Sequence, residues 1–191
     1  MLAATTLNMT EGEIMQIERR HDSSLSENDY FEILRLKTAR LIAAAAKTGA
    51  YLGDFSISQE DAIEKFAEKI GIAFQLVDDT LDFLADEKGW GKPIGKDFKE
   101  GNLTLPIIQL LQVAESEIRE WLEKVIQNQE YDDLTIQRVN SLLLKNNVFN
   151  YCFVKAEKII EEGNQYIQQF SDTPEFDALY GLAGFFLRRA Y

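Results

Sequence analysis

Asp78, Asp79 and Asp82 stand almost together in the stretch GIAFQLVDDTLDFLADEKGWGKPIGKDFKEGNLTLP, Gly71 to Pro106. Offsets of three and four put Gln75, Asp78, Asp79 and Asp82 on one side of a helix, while Phe74, Val77, Leu81 and Leu84 form a separate apolar stripe. Like charges at that spacing cost roughly 0.2–0.5 kcal/mol per pair, so a solvated acidic face is compatible with the pattern. The chemistry these residue types could do is to hold a hard dication. Mg2+ takes oxygen ligands, normally one or two carboxylates completed by water and substrate phosphate. Lys92 and Lys96 follow in a glycine-containing loop, placed to fold back and meet phosphate charge. A calcium EF-hand fits worse, because DDTLDFLADEKG lacks glycine at its sixth position and is apolar where that loop must be polar.

Carboxylates held this close need a rigid support, and the spacing predicts helices throughout. The first runs from Met1 to about Arg20, before the polar break HDSSLSEND. The second runs from Asp29 to about Leu52, with Tyr30, Ile33, Leu34, Leu41 and Ala45 at core-like spacing. After GDFSIS, Ser58 with Asp61 three residues on resembles a capping box. The long helix that follows presents Ala62, Phe66, Ile70, Ala73, Val77, Leu81 and Leu84, and Pro93 stops helix beyond it. Thr104-Leu105-Pro106 opens the next helix, and further helices are predicted at Ser116–Asn128, Leu134–Asn146, Phe149–Phe170 and Pro174–Arg189. With neither repeat nor linker in view, the economical architecture is a single all-α helical bundle.

Composition narrows the function classes. Apolar residues make up 46% of the 191, enough for one domain with a real core. A net charge of −12 argues against nucleic-acid binding, which needs a basic surface, yet permits a phosphate ligand bridged by a dication. The single cysteine, Cys152, excludes an internal disulfide, fits a reducing compartment and reads as a buried small apolar residue. The longest apolar run, LIAAAA, is far too short to span a bilayer, and the start lacks the basic and apolar segments of a signal peptide. The expectation is a cytoplasmic protein that is not integral to a membrane. Phe149, Phe153, Phe185 and Phe186 read as core, and the pairs Arg19-Arg20 and Arg188-Arg189 as surface or salt-bridging groups.

GIAFQLVDDTLDF followed by GKPIGKD and EGNLTLP resembles the second aspartate-rich motif of the trans-isoprenyl diphosphate synthases, or polyprenyl synthetases. EGEIMQ, Glu11 to Gln16, resembles the family's Gly-Glu…Gln segment, and YFEILRLKTARLIAAAAKTGAYLG resembles its Lys-Thr helix, with Lys37, Thr38, Ala39 and Leu41 in register. FFLRRAY resembles its arginine-bearing C-terminus. The resemblance implies the isoprenoid-synthase bundle and a Mg2+-dependent condensation of isopentenyl diphosphate with an allylic diphosphate. It implies Asp78 as a metal ligand supported by Asp79 and Asp82. It implies Lys37, Gln75, Lys92 and Lys96 at the substrate diphosphate, with Lys37, Thr38 and Gln75 close to the reaction. A homodimer or hetero-oligomer is also implied.

The departures are specific. The family's first acidic motif, its Gly-Lys-x-x-x-Arg segment and the associated histidine have no counterpart, and His21 in its polar loop is not that histidine. Asn102 stands where many members carry lysine and cannot supply positive charge. Residues 1–191 are therefore expected to form a single partial domain, the C-terminal portion of the fold with the N-terminal part missing, and to be inactive alone. Two other readings compete. One is a non-catalytic helical subunit partnering a full-length synthase. The other is a class I terpene cyclase, against which stand the Lys37-Thr38 pair and GKPIGKD.

Overall fold

α1 (Leu2–Glu18) and α4 (Ile57–Leu81) both cross the segment that joins α2 (Glu27–Leu34) to α3 (Arg40–Leu52). That segment, Arg35–Ala39, is a π turn, a one-residue insertion in an otherwise continuous helix. Glycine is required at both crossings. A Cβ on Gly12 would lie 2.6 Å from the Lys37 amide nitrogen, and one on Gly71 would lie 2.8 Å from Ala39 Cα. The computed structural model describes residues 2–84 and 94–188, with side chains through Phe185. Every described element is helix or turn, as the spacing predicts.

The π turn corrects one expectation about the core. Tyr30, Ile33 and Leu34 are buried as predicted, but Leu41 is 45% exposed and Ala45 is also exposed. The inserted residue rotates the buried face onward, so α3 packs through Ala43 and Ala44 instead. The start of α4 differs as well. Ser56, not Ser58, holds extended backbone, and its amide donates to Gln59 Oε1 at 2.9 Å. Asp61, expected in the cap, pairs with Lys47 at 2.9 Å.

α4 is the axis of the molecule. Its Phe66, Ala67, Ile70 and Ala73 share one apolar cluster with Ala43, Ile160, Ile167 and Ala183. Its Leu76 and Val77 join a larger cluster with Tyr30, Ile33, Leu34, Phe83, Phe98, Leu105 and Cys152. The remaining helices are α5 (Lys96–Lys99), α6 (Leu105–Val113), α7 (Ser116–Asn128), α8 (Asp133–Lys145), α9 (Val148–Ile167) and α10 (Pro174–Arg188). α9 lies along α4, and α10 packs on both. Because α4 ends at Leu81, the chain turns before Leu84, which is 38% exposed, while Phe83 is buried in its place. Phe149, Phe153 and Cys152 are core as expected. Phe185 is 53% exposed, because α10 enters the core through Ala183. The predicted stop at Pro93 and the roles of Arg189 and the Phe186 and Arg188 side chains lie outside what is described. Among the described residues, no helix is long and apolar enough to cross a membrane.

The crossing at Gly71 yields a test. A methyl group there meets backbone, which cannot swing aside, so Gly71→Ala should destabilise the chain by about 1–3 kcal/mol. Gly49 on α3 faces open space, so Gly49→Ala should gain up to about 1 kcal/mol from helix propensity. Urea unfolding of the two variants checks both signs. Equal midpoints would remove the claim that the crossing is tight.

Candidate functional site

A cavity of about 220 Å3 opens beside the C-terminal end of α4. Gln75, Asp78 and Asp79 reach it from α4, Lys37 from the π turn, Glu13 and Gln16 from α1, and Arg19 and Arg20 from the residues after α1. Asp97, Glu100, Asn102 and Thr104 close it from the segment after Gly95. That segment is positioned by local contacts. The amides of Gly95 and Asp97 donate to the carbonyl and the carboxylate of Asp82, at 3.0 and 3.1 Å. Phe98 is fully buried against Phe83 and Tyr131. The His21 amide donates to the Gly101 carbonyl at 3.0 Å, and its ring stacks on Tyr131. Gly101 (φ 84) leaves no room for a Cβ beneath that ring, so His21 serves structure, in keeping with its polar-loop reading.

The aspartates expected to act together divide by environment. Asp78 is exposed at the cavity. Asp79 is only 5% exposed, and its carboxylate accepts from Tyr30 Oη at 2.7 Å and from Gln75 Nε2 at 2.9 Å. Burial outweighs those two bonds and pushes its pKa up to about 7. Asp82 is pushed up to about 6, by burial first and then by Asp97 and Asp78 nearby, against the amide bonds from Asp97 and Lys96. Asp97 is raised by burial, Glu100 and Asp78, with Lys37 and Lys96 pulling the other way. Carboxylates at the end of α4 also face the negative pole of the helix. For Asp79, Asp82 and Asp97, burial and like charge outweigh the local groups that favour ionisation, and an added cation would relieve that.

Among the described residues, no three metal-ligating side chains converge into a complete shell. Mg2+ asks for less, one or two carboxylates with water and phosphate, and Asp78 with Asp82 or Asp97 fits that demand. Asp79 is buried and each of its oxygens already accepts one hydrogen bond, so it is less open to a cation than the exposed Asp78. It fits as an orienting group. Thr38 Oγ1 donates to Gln75 Oε1 at 3.2 Å, so Thr38, Gln75, Asp79 and Tyr30 form one chain of hydrogen bonds.

Of the residues expected from sequence, Lys37, Gln75, Asp78 and Asp79 line the cavity, Thr38 is bonded to one of them, and Asp82 adjoins through Asp97. Lys37 Nζ donates to Gln16 Oε1 at 2.6 Å and lies 3.3 Å from Glu13 Oε1. Lys96 is outside the lining, 67% exposed and 3.7 Å from Glu100. Lys92 lies outside the described residues. Asp97 went unassigned in sequence although it ends the GKPIGKD block, and that adjacency was the available signal. The helical spacing marks Tyr30 as core but not as a partner of Asp79, which is 49 residues away.

A family model described as polyprenyl synthetase matches residues 1–143. The chain is similar to the geranylgeranyl diphosphate synthase of Methanosarcina mazei, 32% identical over 193 residues that take in all of this chain and 57% of that protein. It is 29% identical to the octaprenyl diphosphate synthase of Escherichia coli over 95% of this chain and 56% of that protein. A crystal structure of polyprenyl synthase from Caulobacter crescentus, complexed with calcium and isoprenyl diphosphate, has a TM-score of 0.93 over all of this chain and 58% of that one, at 30% identity. The chain thus spans a little over half the length of the relatives it matches.

Asp79 makes stability depend on pH. Its carboxyl holds a proton in the folded chain up to about pH 7, whereas in the unfolded chain it releases that proton near the ordinary aspartate value of 3.8. Its contribution is therefore full at low pH and is lost as pH rises through about 7. Without divalent cations, Asp79→Asn should gain roughly 5 °C or more in melting temperature relative to the parent between pH 5 and pH 8. Melting curves at the two pH values decide it, and a constant difference would count against a buried, proton-holding Asp79.

Proposed function

The chain belongs to the polyprenyl synthetase family, and from that premise we propose that it forms the diphosphate-holding, C-terminal portion of a Mg2+-dependent isoprenyl diphosphate synthase. The observation that carries this reading is that exposed Asp78 and the cations Lys37 and Arg20 line one cavity. The condensation would join isopentenyl diphosphate to an allylic diphosphate. The allylic C–O bond breaks, diphosphate leaves, the alkene of isopentenyl diphosphate forms the new C–C bond, and a proton is lost.

The residues of the chain would divide this work. Asp78, with Asp82 or Asp97, would hold Mg2+, which when bound supplies positive charge to the leaving diphosphate. Lys37 contacts diphosphate oxygen as a point charge, exchanging its bonds to Gln16 and Glu13 for it. Thr38 and Asp79 fix the amide of Gln75 so that it meets the substrate in one orientation. Lys92 and Lys96 belong to the same reading as further positive charge for the diphosphate. The calcium and isoprenyl diphosphate in the Caulobacter crescentus structure support a dication and a diphosphate on this fold.

The same reading makes residues 1–191 a single partial domain that works in the cytoplasm. Leu7, Ile14 and Ile17 on α1 are 50–68% exposed, and a partner chain, a second copy or a longer synthase, would cover them. The exposed apolar residues of α1 also suit a second reading, a non-catalytic subunit that binds a full-length synthase.

Titration with geranyl diphosphate, with and without Mg2+, tests the site. Binding should require Mg2+, and Asp78→Asn should weaken it tenfold or more, a difference of about 1.4 kcal/mol. Binding indifferent to both changes would sink the proposal. Single-turnover incubation with labelled isopentenyl diphosphate separates the two readings, because a longer product from this chain alone excludes the non-catalytic one. Sedimentation velocity should show self-association at micromolar concentration, and a monodisperse monomer would argue against a second copy on α1.

A further inference from the structure

Arg19, Arg20 and Lys37 line the cavity, and their partners differ. Arg19 is committed to Asp22 and Asp29, at 2.6 and 2.9 Å. Lys37 rests on Gln16 and Glu13. Arg20 pairs with no carboxylate among the described residues. Instead its Nε donates to Asn102 Oδ1 at 3.1 Å, across 82 residues of sequence. Asn102 is 8% exposed, so this is a buried carbonyl spent on orienting one guanidinium. Using Nε leaves the two terminal nitrogens of Arg20, a planar fork suited to phosphate oxygens.

A second observation points to the same missing acceptor. Thr104 Oγ1 is buried without a hydrogen-bond partner among the described residues, and Thr104 lines the same cavity at 4% exposure. A buried hydroxyl left unpaired is destabilising, so an acceptor belongs there. The cavity therefore offers a fixed guanidinium fork and an unused hydroxyl, and Asp78 lines it too. An anion with several oxygens, shared with a dication on Asp78, satisfies all three.

We propose that Arg20 is a substrate-binding residue that grips the diphosphate of the allylic substrate, with Asn102 its positioning residue and the Thr104 hydroxyl a second donor. This rests on the reading of the site as a Mg2+–diphosphate site and extends it. Arg20 brings to the neighbourhood of position 102, from the end of α1, the positive charge that Asn102 cannot carry.

Calorimetric titration of the 191-residue chain with Mg2+ and, separately, inorganic diphosphate, geranyl diphosphate and isopentenyl diphosphate tests this. Arg20→Gln should weaken inorganic and geranyl diphosphate at least tenfold. Asn102→Ala, which keeps the charge and frees its orientation, should weaken them about threefold. Adding Asn102→Lys to Arg20→Gln should recover most of the loss, which a merely structural Arg20 would not allow. Should Arg20→Gln fail to fold by circular dichroism, Arg20→Lys and the near-isosteric Thr104→Val decide instead, each with a loss of threefold or more. Unchanged affinity in the folded variants, or a loss confined to isopentenyl diphosphate, would overturn the assignment. If the parent chain binds diphosphate without regard to Mg2+, the underlying site reading fails. If the parent requires Mg2+ and Arg20→Gln matches it, only the role of Arg20 fails.

Discussion

The backbone of Leu36 to Ala39 runs between Gly12 on α1 and Gly71 on α4, at separations that leave no space for a side chain on either glycine. The π turn held there sets the phase of everything after it. It carries Lys37 to the cavity and Thr38 to Gln75, and turns Ala43 and Ala44 into the core in place of Leu41. A regular α-helix through these residues would present a different face to α4. The irregularity therefore sits where the site needs it, braced by helices on two sides.

Around that brace the molecule tolerates an electrostatic conflict. Asp79, Asp82 and Asp97 gather beside Asp78 near the end of α4, and burial, with like charge nearby, raises the pKa of those three. A fold selected only for stability would place apolar or neutral residues there. The hydrogen bonds from Tyr30 and Gln75 to Asp79 keep one carboxyl inside the protein, and the exposed Asp78 is left to meet what the cavity receives. Such an arrangement is what a dication with a diphosphate would complete. Lys37 and Arg20 line the same cavity, so both signs of charge border one space.

The segment after Gly95 is held by contacts of a different kind. Phe98 anchors it in the core, His21 clasps Gly101, and Asp82 accepts two of its amides. Each anchor lies beside a residue of the site: Asp97 next to Phe98, Asn102 next to Gly101. The packing that closes the core thus also places the polar wall of the cavity.

Helix positions, the polar breaks and the acidic cluster were legible in sequence because each depends on neighbours within one or two turns, where backbone hydrogen bonding sets the period. The blocks EGEIMQ, LKTA and DDTLD carried the resemblance for the same reason, being short and local. What the chain does with those residues was decided by tertiary contacts. Tyr30 and Asp79 are 49 residues apart, and Arg20 and Asn102 are 82 apart. No periodicity reports which of three adjacent aspartates is buried, or that a π turn shifts Leu41 outward. Desolvation and pairing act through space, so the charge on a carboxyl and the freedom of a guanidinium exist only once the helices have crossed.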